Sequence, residues 1–279
     1  MSDEYKEQTP QNTFWNSSEM AERWQQEAER RRQERAEATQ RMLEAAGLKP
    51  GDRVLDVAAG TGDQSIFAAR IVGPGGSVLA TDISAEMLNI AARVAQQEEL
   101  TNITTRVMDV EQLDLEDNAF DAVICRFGLM LIPHLQQALR EIRRVLKPGG
   151  KLAALVWSSP ENNPLFSLPF AVLSKYAREA SSRLPNPFAL SDPTVFEREL
   201  SEAGFYEVIT RTIQFQSHYA SLDAFLQSSA SGITLGVMGQ LGHLEQQQML
   251  EEVRQALSQF EGSHGLVAPG EVLLGVASK

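Results

Sequence analysis

The chain has 279 residues, 43% hydrophobic and 22% charged, with a formal net charge of -12 at pH 7 and a sequence pI near 4.9. That length suits one large domain or two small ones, and so acidic a surface disfavours nucleic acid and anionic lipid as partners. Cys125 is the only cysteine, which excludes an internal disulfide, and no signal peptide or apolar run of ~18 residues is present, so a soluble cytoplasmic protein without stable membrane insertion is expected.

In chain order, residues 1–16 read as a loose arm carrying Phe14 and Trp15. Ser17 to Ala46 is rich in Glu, Arg, Gln and Ala and reads as helix, in one or two pieces, stopped by Gly47 and Pro50. Its basic cluster RRRQER (Arg30–Arg35) is interleaved with glutamates, so a solvated face with a Glu27–Arg31 pair is expected. Strands and helices then alternate. RVLDVAA (53–59), SVLATD (77–82), NITTRVM (102–108), AFDAVIC (119–125) and KLAALVW (151–157) read as strands. Between them, Asp63–Val72, Ser84–Gln97 and the amphipathic stretch from Leu135 to Leu146 read as helices. This alternation predicts an α/β fold, a parallel sheet with helices on both faces.

Beyond residue 158 the rhythm breaks. The 160–190 segment holds Pro160, Pro164, Pro169, Pro185 and Pro187 with Phe166, Phe170 and Phe188, and a helix is expected over Leu165–Ala180. Another helix follows over Pro193–Ala203, a strand over 206–215, helices near 221–230 and 244–260, and a last strand over 271–278. The expected organisation is an N-terminal arm and helix (1–46), a core (47–217 and 266–279, including the 160–190 segment) and a helical insert (218–265) that caps a substrate.

The chemistry concentrates in VLDVAAGTGD (54–63). A strand, then glycines, then a helix brings backbone close to a ligand at the carboxyl ends of the strands. The dinucleotide fingerprint starting at Gly60 would need glycine where Ser65 stands, and no G-K-[ST] follows to make a phosphate loop. Asp82 ends the second strand, placed to accept hydrogen bonds from ribose hydroxyls, although an N-cap acid looks the same in sequence. Asp109 follows the third strand, placed for a purine amine or equally for an ordinary surface loop. Together, three acids at successive strand ends describe a nucleoside site without a diphosphate.

VLDVAAGTGD, ATDIS with Met87 after it, VMDVEQL, FDAVICRFGLMLIP and LREIRRVLKPGGKLAALVW resemble the successive motifs of class I S-adenosylmethionine-dependent methyltransferases. The GTGD ending resembles the branch containing the ubiquinone and menaquinone C-methyltransferases. The resemblance implies the Rossmann-like seven-stranded class I methyltransferase sheet, with its last strand antiparallel between its neighbours. It also implies roles: Asp56, Gly60, Thr61 and Gly62 around the methionine end of S-adenosyl-L-methionine, with Ala58 in the same loop. Asp82 would hold the ribose, Ile83 and Met87 the adenine face, Asp109 and Val110 the adenine edge, and Arg126 and Phe127 the floor beneath the sulfonium. Ala58 stands where many members carry glycine, and FWNSSEMAERW departs from the Tyr-Asp-x-x-Asn-type entry segment of the quinone enzymes.

Methyl transfer from a sulfonium is an in-line displacement, so alignment and exclusion of water matter most and a base is optional. His134, opening the helix after the fourth strand, is the candidate catalytic residue, with a solvent-facing helix start as the plainer alternative. His218, His243 and His264 are weaker candidates, and no metal-ligand spacing is present. The expected function is methyl transfer to a small, largely apolar or aromatic acceptor (a quinone, polyketide or other secondary metabolite), releasing S-adenosyl-L-homocysteine from a monomer or homodimer. Two other readings stay open: an S-adenosylmethionine-binding enzyme that rearranges or cyclises its substrate, and a non-catalytic binding protein.

Overall fold

The computed structural model describes residues 18–176, 186–229, 238 and 241–279. Three short helices lead: α1 (Ser18–Gln26), α2 (Ala28–Glu34) and α3 (Ala36–Ala46). Gly47, at φ 71°, ends α3 in the left-handed conformation that glycine adopts without a Cβ clash. The helical lead is thus in three pieces rather than one or two. Phe14 and Trp15 lie outside the described residues.

The alternating segment follows as β1 (Arg53–Val57), α4 (Asp63–Val72), β2 (Ser77–Asp82), α5 (Ala85–Gln97), β3 (Ile103–Val107), β4 (Phe120–Arg126), α6 (Leu135–Val145) and β5 (Leu146–Trp157). The later elements are α7 (Pro164–Tyr176), α8 (Pro193–Glu202), β6 (Tyr206–Tyr219), α9 (Leu222–Ser229), α10 (His243–Leu257), the two-residue β7 (Glu261–Gly262) and β8 (Gly265–Ser278). The sheet order is β3-β2-β1-β4-β5-β8-β6, with β7 pairing β8 as an addition to the expected seven strands. β1 to β5 are parallel, and β8 runs antiparallel between β5 and β6.

The apolar runs explain this arrangement. Val54 and Leu55 of β1, Val123 and Ile124 of β4 and Leu152 to Val156 of β5 are fully covered, as central strands sandwiched between helices require. α3 lays Met42 and Leu43 against one face of the sheet, and α6 lays Leu139 and Ile142 into the same continuous core. Gly150 is forced by close approach, because a Cβ there would meet the Asp121 carbonyl oxygen at 2.8 Å.

Two boundaries move. The KPGG turn is absorbed into β5, where the ladder with β4 skips from Leu146 to Lys151. β6 and β8 are each longer than their alternating cores suggest, paired out to Tyr219 and Leu266. His218 and Tyr219, read as the start of the insert, therefore end a strand. A second apolar cluster joins α7, α9 and α10 through Val172, Leu173, Leu222, Phe225, Met249 and Leu257. No helix among the described residues is long and apolar enough to cross a membrane.

Candidate functional site

A cavity of about 1240 Å³ opens over the carboxyl ends of β1, β2 and β4. The turn after β1 forms one wall, and its residues divide the work. Asp56 is 0% exposed and sits beneath the loop rather than in the cavity wall. Its carboxylate accepts hydrogen bonds from Gln64 Nε2 at 2.9 Å and from the Ser65 hydroxyl. Burial pushes its pKa up to about 7, against the opposing pull of those two donors. Asp56 thus ties the loop to the first turn of α4.

Gly60 and Gly62 differ in the same way. Both have positive φ, 57° and 82°. A Cβ on Gly62 would meet Ala91 Cβ at 2.9 Å, so this glycine lets α4 approach α5. A Cβ on Gly60 would meet nothing within 4 Å, because it would project into the cavity. Ala58 also has positive φ, 52°, and a Cβ on Gly128 would lie 2.5 Å from the Ala58 methyl. Glycine at 128 therefore makes room for the alanine at 58.

Asp82 secures the loop from the next strand. Its carboxylate accepts from the Gly60 N–H and the Ser84 N–H, both at 2.9 Å, and burial raises its pKa. The hydroxyl of Thr61 is buried at the cavity wall with no partner among the described residues, which suits a donor to a ligand oxygen. Ile83, Met87, Asp109 and Val110 complete this end. Asp109 is exposed and accepts from the Glu111 N–H at 2.9 Å, which shapes the loop and leaves carboxylate lone pairs open. Glycine backbone, an unmatched hydroxyl and two acids fit the amino-acid and nucleoside parts of S-adenosyl-L-methionine. Among the described residues, no group of His, Cys, Asp and Glu could hold a metal ion.

The opposite end is aromatic. Phe127 stacks on Trp157 at 4.7 Å between ring centroids, and Trp157 stacks on Phe166 at 5.1 Å. Phe170 and Phe215 extend the wall, and Tyr219 and Phe225 come from β6 and α9. Of the sequence-expected residues, Phe127 sits where the two ends join. Arg126 is only 11% exposed in its side chain and donates to Thr39 Oγ1 and Asp63 Oδ2, both at 3.1 Å, so it braces the cavity wall. His134 lies at the mouth, its side chain 73% exposed, with Nδ1 at 2.8 Å from Glu111 Oε2.

The basic cluster overturns its expected role. Arg31 is 6% exposed, stacked over Trp24 at 4.1 Å and hydrogen-bonded to the Trp24 carbonyl, and burial pushes its pKa down to about 9. The expected partner of Glu27 is instead Arg30, at 2.8 Å. Arg32 and Arg126 both reach Asp63, which is 3% exposed. α2 therefore lies across the cavity, with Glu27, Arg30, Arg31, Glu34 and Arg35 among its lining. A sequence signal existed. Ala21, Trp24, Ala28, Arg31, Arg35, Ala38 and Met42 recur at alternating spacings of three and four, a stripe facing the protein, and its two arginines hid it. Gln64 and Trp157 were also missed as cavity residues, since nothing local separates them from core.

The five parallel strands, the antiparallel strand inserted at one side and the glycine loop under an empty-sided Gly60 define a class I S-adenosylmethionine-dependent methyltransferase fold. A model of the ubiE/COQ5 methyltransferase family matches residues 32–183, more than half of the chain, and the chain belongs to that family. The ubiquinone/menaquinone biosynthesis C-methyltransferase UbiE of Ectopseudomonas mendocina (strain ymp) is 44% identical over 126 residues, 45% of this chain and 49% of that one. The chain thus spans about half the length of the curated relatives it matches. The YcgJ protein of Bacillus subtilis shares the fold, with a TM-score of 0.62 and 18% identity over 88% of this chain and 98% of that one. A methyltransferase-titled structure from Bacillus halodurans C-125 aligns with a TM-score of 0.58 and 23% identity, over 86% of this chain and 98% of that one.

Proposed function

We propose that this protein transfers a methyl group from S-adenosyl-L-methionine to a small, largely apolar or aromatic acceptor, with quinones the first class to try in view of the UbiE relatives. The observation that carries the reading is one continuous cavity with two chemically distinct ends. When bound, the cofactor supplies an electrophilic methyl with its leaving group already attached. The chain's own part is to hold and to exclude water. Gly60, Thr61 and Asp82 fix the polar end, and Met87, under Trp24 and α1, closes over the base. Trp157, Phe166 and Phe215 give a flat acceptor a dry surface of matching shape, which favours a near-attack arrangement. α7 and α9 act as the substrate cap, since their residues close the aromatic end. His134, paired with Glu111 at the mouth, is the candidate for passing an acceptor proton to solvent.

The test is incubation of the protein with methyl-labelled S-adenosyl-L-methionine and a panel of quinols, naphthols and polyketide phenols. Label in the organic extract, matched by S-adenosyl-L-homocysteine, supports transfer. Tight cofactor binding with no label released to any acceptor would favour a cofactor-dependent rearrangement instead. Absence of cofactor binding by calorimetry would overturn the proposal.

A further inference from the structure

Among the described residues, the arginines around the cavity have partners, with one exception. Arg30 is held by Glu27 and Glu34, Arg32 and Arg126 by Asp63, and Arg31 by the Trp24 carbonyl. Arg35 is different. Its guanidinium lies 4.9 Å from the Phe127 ring centroid and 5.0 Å from that of Trp157, where the polar and aromatic ends of the cavity meet. Its Nε is buried without a hydrogen-bond partner, and among the described residues it makes no ion pair. The adjacent Glu34 has its oxygens engaged by Arg30 and by the Ser217 hydroxyl.

Two ring faces return only part of the hydration that a guanidinium gives up on burial. Consistent with this, burial pushes the Arg35 pKa down, against an opposing pull from Glu34. Guanidinium stays protonated in proteins, so the group is a standing positive charge in an aromatic chamber. A sulfonium cofactor brings a second positive charge into the same cavity. Both charges favour an acceptor that is itself negative.

We propose that Arg35 binds an ionised oxygen of the methyl acceptor, so that the enzyme selects aromatic acceptors as phenolates or enolates over neutral compounds of the same shape. The proposal rests on the methyltransferase reading above. An acceptor that enters ionised needs no base before the attack.

The test uses two probes with the same ring system. 2-Hydroxy-1,4-naphthoquinone is an acid, ionised at neutral pH, and 2-methoxy-1,4-naphthoquinone cannot ionise. Each is titrated calorimetrically into the full chain saturated with S-adenosyl-L-homocysteine. The wild type is expected to bind the hydroxy compound at least tenfold more tightly. Arg35→Met should erase that preference while its affinities for the methoxy compound and for S-adenosyl-L-homocysteine stay within threefold. Arg35→Lys should restore part of the preference. Should Arg35→Met fail to fold, the wild type at a pH below the ionisation of the hydroxy compound must show the same loss. An unchanged preference in Arg35→Met, or a wild type that binds neither probe or both alike, overturns the assignment. Failure to bind S-adenosyl-L-homocysteine overturns the methyltransferase reading instead.

Discussion

The two ends of the cavity are built on different principles. The polar end comes from consecutive turns after β1, β2 and β3, held by contacts within a turn and between neighbouring turns. The aromatic end is assembled from β4, β5, α2, α7, β6 and α9, segments far apart in sequence that meet only when the sheet is complete. The first kind of site is constrained by the geometry of a turn and tolerates little change. The second is constrained by packing, so size and shape can vary while the sheet persists. A family can thus keep one cofactor while its acceptors diverge.

Substitutions at the polar end should break the contrast most sharply. Gly60→Val places its side chain in open space, so the fold should survive its backbone strain of about 1–3 kcal/mol, yet adenosylmethionine affinity should fall a hundredfold or more. Calorimetric titration beside a thermal melt reads both; normal binding would mean that Gly60 serves only the turn. Asp56 sets a pH dependence. Because its folded pKa is raised to about 7, the stability it contributes is present below the unfolded value of ~4 and is lost as pH rises through about 7. Urea melts between pH 4.5 and 7.5 should show Asp56→Asn removing a decline of about 2–4 kcal/mol, an upper range for one group shifted this far. A parallel profile for the two proteins would refute the shift.

Gly62→Ala sharpens the difference between neighbours. Its Cβ would meet Ala91 Cβ at 2.9 Å, so urea stability should drop by about 1–3 kcal/mol. A stability equal to wild type would show that α4 and α5 have room to part. Asp82→Ala removes the acceptor for Gly60 N–H and the proposed ribose contact, and adenosylmethionine binding should weaken by about 1–3 kcal/mol. Unchanged affinity with an intact fold would place the ribose elsewhere.

The difference between the ends also explains what could be read from sequence. α4 and β2 fall on their expected residues, since Gly62–Asp63 and Gly73 bound the helix and Gly76 and Asp82 bound the strand. Gly60, Asp82, Ile83, Met87, Asp109 and Val110 line one cavity because strand-end turns in a parallel sheet share a side. Asp56 and Gly62 fall in the same motif and yet face protein, a distinction that needs the positions of Ser65 and Ala91 in space. The closure of α2 over the cavity was harder to read for another reason. Glutamates and arginines at helical spacing look alike whether their partners are water or a buried Asp63, and only the sheet supplies that carboxylate.

Asp63 has a consequence for ligand binding. It is the first residue of α4, directly after the glycine loop, and its two oxygens receive Arg32 from the covering helix and Arg126 from the end of β4. Loop and cover therefore share one anchor, and a ligand that steadies the loop steadies the cover. Reciprocity requires the converse with equal free energy. Ligand entry and seating of the helix are then expected to be coupled.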